Sequence, residues 1–420
     1  MNNFRTTILM LFISILFHAL LIAENWPRFR GPTGQGISSE KNLPVSWNQS
    51  DGILWKTEIP GKGYSSPIVF DGKVFLTTAM DSGASCRILC INLQSGIILW
   101  NTEVFRQVPG YKEPRNSYAT PTPVTDGICV YAAFNDGSIA AVTVEGQKKW
   151  ENRNHRFYSQ HGLGVSPVLF DNYFIIPYDG SHKPPDTHIG WQEPWDKAVI
   201  MALDKSNGKE TWIGHRGLSR IAHVTPIIVI YAGKPQLVSG AGDVIQGFDP
   251  YTGTRIWSVK SSGEGVVPSP VSGEGMIFCA SGFGDPTIRA VRLGGKGEIT
   301  KTHRVWEQKR NVPTMPSFIY HTGYLFSISD NGKAMCLQAK SGQIIWEERL
   351  PGNYAASPTY ADDKIYFLSD KGVSTIIEAG PVYKQIEQNS IGEPCRASYA
   401  ISNGKILIRS EKHLFCIAKE

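Results

Sequence analysis

Residues 336–346 read Cys-Leu-Gln-Ala-Lys-Ser-Gly-Gln-Ile-Ile-Trp, and the pattern returns three times. Residues 90–100 are Cys-Ile-Asn-Leu-Gln-Ser-Gly-Ile-Ile-Leu-Trp, 202–212 are Ala-Leu-Asp-Lys-Ser-Asn-Gly-Lys-Glu-Thr-Trp, and 247–257 are Gly-Phe-Asp-Pro-Tyr-Thr-Gly-Thr-Arg-Ile-Trp. A glycine precedes each tryptophan by four residues: Gly96, Gly208, Gly253 and Gly342. Gly146 keeps that offset to Trp150 in a shorter unit. Side chains alternate before the turn, and β-formers follow it, which is a hairpin signal. Glycine supplies the left-handed residue the turn needs. Asp204 and Asp249 open their turns, where a carboxylate can accept backbone N–H groups; Asn92 and Gln338 are weaker versions. The tryptophan is a large apolar plate, expected to face the next unit.

Working outward, each hairpin is preceded by two more strands. Ser66-Pro67 opens an inner strand, Asp71-Gly72 turns it, and residues 74–78 return. The opening recurs at Thr122-Pro123, Ser166-Pro167, Thr225-Pro226, Ser269-Pro270, Met315-Pro316 and Ser357-Pro358. Proline belongs at a strand's first residue or on an edge, and both conditions hold for a strand lining a channel. Pairs such as Asp126-Gly127 and Asn403-Gly404 favour tight turns. The unit-ending tryptophans Trp55, Trp100, Trp150, Trp212, Trp257, Trp306 and Trp346 lie 40 to 62 residues apart. Periods of that size with four strands each mean a propeller. Units start near Tyr64, Tyr118, Val165, His223, Val267, Met315 and Ala355, and the seventh ends on a degraded outer strand at 382–387. Residues 396–418 then give three strands and stop, while 53–58 is an orphan outer strand. The reading is all-β: an eight-bladed β-propeller of four-stranded antiparallel blades. The N-terminal strand completes the C-terminal blade and leaves no free edge across the ring. The expected organisation is a signal peptide over 1–23, an irregular extension over 24–52, and one propeller domain over 53–420.

Residues 1–23 carry one charge, Arg5, then an apolar run and a small residue, Ala23. This is the secretory pattern, too interrupted for a span. An exported, periplasmic or extracellular protein with no transmembrane span after cleavage is expected. A net charge of +5 over 420 residues is too weak and scattered for a nucleic-acid footprint.

Three of the seven cysteines, Cys90, Cys336 and Cys416, share the repeat slot held elsewhere by Ala202 and Gly247. They read as buried, unpaired thiols in a slot that wants a small residue. Cys86 and Cys90 are too far apart along one strand to bond. Cys86 with Cys395, on neighbouring units, is the pair left open. The longest insertion, 178–195, holds His182, Asp186, His188, Trp191, Glu193 and Trp195. Its spacing fits no standard metal site, and it reads as a loop shaping the channel mouth.

These tryptophan-ended units resemble the pyrroloquinoline quinone (PQQ) type of β-propeller repeat, over about 53–418. Three stretches, 25–32 (Asn-Trp-Pro-Arg-Phe-Arg-Gly-Pro), 294–300 (Gly-Gly-Lys-Gly-Glu-Ile-Thr) and 412–417 (Lys-His-Leu-Phe-Cys-Ile), resemble a group of exported bacterial members with no agreed reaction. Quinoprotein alcohol dehydrogenases and the BamB propeller lipoprotein share the eight-blade architecture. The resemblance to the dehydrogenases would imply PQQ with calcium. They carry an adjacent Cys-Cys pair and long insertions, both missing here. BamB is anchored through a lipidated cysteine, also missing. No catalytic, cofactor-binding or metal-binding residue is therefore carried over. A rigid binding or scaffold module for a protein or glycan is expected, as a monomer without cofactor; a quinone-dependent oxidoreductase, or a hydrolase or lyase, is the alternative.

Loops leading into the inner strands should gather at one channel mouth. Their residues do not repeat: Lys62, Tyr64, Arg115, Asn116, Tyr118, His161, His223, Glu264, Met315, Asn353, Tyr354 and Arg396. Arginine forks suit an anionic guest. Two histidines titrating near neutrality would tighten its binding toward pH 6.

Overall fold

In the computed structural model, residues 24–419 are described, and the expected signal peptide at 1–23 lies outside them. Eight antiparallel sheets follow one another around a ring. Blade one is Ile68–Phe70, Lys73–Met80, Ser85–Asn92 and Ile98–Arg106. Blades two to seven cover 124–152, 168–215, 227–260, 271–308, 319–349 and 359–390. In blade eight, Ile53–Glu58 pairs with His413–Ile417, outside Lys405–Arg409 and Ala400–Ser402. The outer strand of blade seven is Gln385–Ser390, three residues later than expected. No helix among the described residues is long and apolar enough to cross a membrane.

Sequence patterning follows strand position. Middle strands are covered on both faces by neighbouring blades, so Lys73–Met80 is buried at all but its ends. The outer strand Ile53–Glu58 alternates between half-buried and exposed, as a strand with one wet face must. Directly across from each tryptophan lies a small residue: Cys90 opposite Trp100, Ala202 opposite Trp212, Cys336 opposite Trp346, Cys416 opposite Trp55. This is the physical content of the cysteine slot. All seven cysteines are free and buried, Cys86 and Cys395 included.

Each tryptophan also locks its blade to the next. A Cβ added to Gly96, Gly146, Gly208, Gly253 or Gly342 would lie 2.4–2.7 Å from the indole of Trp55, Trp100, Trp150, Trp212 or Trp306. The ring rests on the bare glycine face, which is why glycine stays there beyond its turn geometry. The Trp55, Trp100, Trp150 and Trp306 indoles donate to Leu93, Val144, Lys205 and Ala339 carbonyls of the following blade at 2.9–3.1 Å.

Trp257 departs from this rule. Gly294, Gly295 and Gly297 of blade five do not face it, so its indole folds over Gly247 of its own blade and donates to Gln236 Oε1 at 2.8 Å. The junction is closed instead by Gly297–Glu298, which pairs in parallel with Arg255–Lys260 as a fifth strand. The insertion 294–300 therefore stitches blade five to blade four.

The extension crosses the far end of the channel. Trp26 exchanges both backbone hydrogen bonds with Val69, Thr125 N–H donates to Pro27, Ser272 N–H to Gln35 Oε1, and Tyr360 N–H to Gly36. Glu40 accepts from the amides of Asn403 and Gly404.

Candidate functional site

The inner strands open on a ring of hydroxyls. Ser66 N–H donates to Thr122 Oγ1, Thr122 to Ser166, and Ser166 to Thr225, each at 2.9–3.0 Å. Ser269 N–H reaches Ser317, Ser317 reaches Ser357, Ser357 reaches Ser398, and Ser398 returns to Ser66, again at 2.9–3.0 Å. The repeating element is thus the hydroxyl rather than the proline: Phe318 and Tyr399 stand where other units have proline. In the sixth unit the opening residue is Ser317, two residues past Met315. The step from Thr225 to Ser269 is missing, and Ser269 Oγ has no partner. There His223 N–H donates to Val266 carbonyl at 2.6 Å instead.

Above this ring lies a cavity of about 430 Å³. Phe29, from the extension, joins the ring in lining this cup. Tyr64, Arg115, Asn116, His161, His223, Glu264, Met315 and Arg396 meet in its wall. Four expected residues lie elsewhere. Lys62 is exposed and bridges Ala79. Tyr118 turns away, with its hydroxyl on Gly110 and its ring against Gly83. Asn353 is exposed, and Tyr354 is fully buried between blades six and seven, its hydroxyl on Pro351. A residue in the right loop reaches the axis only if its strand entry points it inward, and these entries do not.

Glu113, Trp191, Phe283 and Phe29 complete the wall without having been singled out as site residues. Trp191 comes from the 178–195 insertion, which does shape the mouth. Phe29 had a signal only in the unusual stretch 25–32, where Trp26 and Arg30 flank it.

The wall has two polar groups without partners. Both ring nitrogens of His223 and Glu264 Oε2 are buried and unbonded. His223 sits 6.0 Å from the His161 ring, which is 6.0 Å from Trp191, each pair edge to face. Burial, then the nearby His161, pushes the His223 imidazole down to about 3. Burial likewise lowers His161 and raises the Glu264 carboxyl. The expected tightening through His223 near pH 6 is therefore corrected: it stays neutral there because the charged form has lost its water. Glu113 is held below its usual range, its hydrogen bonds and pairing with Arg115 at 3.0 Å outweighing burial. Arg396 lies 5.8 Å over the Tyr64 ring and 3.5 Å from Asp370.

The donor set does not fit a calcium–quinone centre. Calcium takes six to eight oxygens, and the cup's carboxylates are Glu113, engaged by Arg115, and the protonation-prone Glu264. No cluster of three or more metal-ligating side chains occurs among the described residues.

The family described as outer membrane protein assembly factor BamB matches residues 36–169 and 295–380, just over half of the chain. Among solved structures, BamB from Moraxella catarrhalis covers 88% of this chain and 97% of its own at 13% identity, with a TM-score of 0.60. The quinohemoprotein alcohol dehydrogenase from Comamonas testosteroni covers 94% and 81% at 10% identity, with a TM-score of 0.66. A computationally designed protein, Ika8, covers 87% and 99% at 11% identity, with a TM-score of 0.62. At these identities the likeness is one of fold. No curated protein matches in sequence. The chain belongs to the PQQ-like β-propeller family of BamB.

Proposed function

We propose that this PQQ-like propeller is an exported, non-enzymatic binding module that takes a sugar unit of a glycan partner into its central cup. The observation that carries the reading is the cup, in which buried, unbonded polar groups stand beside aromatic side chains. Burying His223 and Glu264 Oε2 without partners is unfavourable, and a polar guest would satisfy them. Tyr64, Trp191, Phe283 and Phe29 offer flat apolar faces beside those groups. That combination suits a sugar, with C–H faces and many hydroxyls. The cavity falls in the size range of small-molecule sites. A protein partner instead needs roughly 800 Å² of surface on each side.

A glycan array with wild type and Trp191→Ala tests this. Discrete sugar hits that weaken in the variant are expected. Equal capture by both proteins would exclude the cup. The family name would then point to a protein partner, and exposed Leu54, Ile97 and Leu99 around the blade-eight seam would be the surface to examine.

A further inference from the structure

Seven ring hydroxyls each accept a backbone N–H from the preceding blade. None of the seven has an acceptor for its own proton among the described residues. A hydroxyl carries one donor and two acceptor sites, so seven O–H donors remain around the axis. All seven line the cup, whereas Ser269, which receives no N–H, does not.

Two buried guanidiniums flank this ring without a carboxylate partner among the described residues. Arg409, 2% exposed, gives Nη1 to Ser65 carbonyl and Oγ at 2.9 and 2.5 Å, next to Ser66. Arg30, also 2% exposed, donates Nη2 to the carbonyls of Gln35 and Phe318, next to Ser317, and its Nε and Nη1 have no partner. Burial lowers both to about 9, so both stay charged at neutral pH. Buried charge without a counter-ion is strongly unfavourable; neither guanidinium lines the cup, so an anion on the ring would act on them through the ring residues they adjoin. His223, more than nine-tenths buried and unbonded in the same wall, adds a neutral donor.

We propose that the hydroxyl ring is an oxyanion seat, and that the sugar entering the cup is an acidic one whose carboxylate or sulfate rests on it. The identity of the guest as a sugar rests on the reading above; the seat itself does not. The rim arginines are already engaged by Glu113 and Asp370, so anion selection sits at the floor.

Calorimetry on the intact protein at low salt, with glucose, glucuronate, glucose 6-sulfate and acetate, separates the two ideas. An acidic sugar should bind about tenfold tighter than glucose or more, the worth of one charge-assisted hydrogen bond. Acetate should compete, and the stronger acidic sugar identifies the oxyanion. Thr122→Val with Ser357→Ala should narrow the acidic-to-neutral ratio. If that variant does not fold, acetate competition on wild type decides. Equal affinity for glucose and glucuronate overturns the seat while leaving the sugar cup standing. Acetate binding without any sugar binding supports the seat and overturns the sugar reading. No binding of any probe overturns both.

Discussion

The backbone N–H of Ser398 donates to Ser66 Oγ at 3.0 Å, joining residues 332 apart in sequence. That bond closes the inside of the ring, as Ile53–Glu58 closes the outside by pairing with His413–Ile417. The last blade is therefore held to the first at both radii.

Removing the outer closure should destabilise the whole molecule. Trp55→Ala loses the indole bond to Leu93 and the packing on Gly96. We expect a loss of about 2–4 kcal/mol, slightly below a fully buried tryptophan truncation. Deleting residues 53–58 should lower the urea midpoint further, by exposing a strand edge. An unchanged midpoint would contradict closure by this strand.

Glycines of equal backbone conformation should differ in tolerance. Gly208 and Gly72 have φ of +73° and +70°. A Cβ at Gly208 would lie 2.4 Å from the Trp150 ring, but at Gly72 nothing lies within 4 Å. Gly72→Ala should cost about 1–2 kcal/mol from the left-handed conformation alone. Gly208→Ala should cost more, by about 1–3 kcal/mol for overpacking. Equal losses in chemical denaturation would mean that the tryptophan lock contributes nothing.

His223 should make folding pH-dependent. Its pKa is about 3 when folded and about 6.5 when unfolded. Between those values the unfolded chain binds a proton that the folded chain does not. Stability should therefore decrease as pH falls from about 6.5 toward 3. Comparing urea curves at pH 7 and pH 5, His223→Gln should lose less stability than wild type. Identical losses would place the imidazole in water.

A buried ion pair at the end of blade three also reaches blade four. Arg216 Nε and Nη2 donate to Asp179 Oδ1 and Oδ2 at 2.5 and 2.8 Å, and Nη2 also reaches Ser239 Oγ at 2.8 Å. Arg216→Met leaves Asp179 buried alone and should cost about 3–5 kcal/mol. Adding Asp179→Asn should recover part of that loss. A double variant no more stable than Arg216→Met would show that the pair's charge is not what the junction depends on.

The repeat count, the hairpins and the closure were legible in the sequence because each rests on local rules. Strand alternation, a left-handed glycine and a small residue opposite a tryptophan are fixed by neighbours within one unit or the next. The hydroxyl ring was half-visible, masked by the proline beside it and lost where Phe318 and Tyr399 replace that proline. Which loop residues form the cup was not local. Tyr64 and Tyr354 occupy comparable loops, yet one lines the cup and the other is buried between blades six and seven. Phe29 lies far from every inner strand in sequence, yet it lines the cup. His223 reads as a neutral-range titrant until its burial is known. The exception at Trp257 likewise depends on what blade five fails to offer. Sequence fixes which face of a strand is apolar through a period of two. Convergence, burial and the charge state that burial imposes come from summing eight blade rotations and an extension that crosses them, and only the tertiary structure performs that sum.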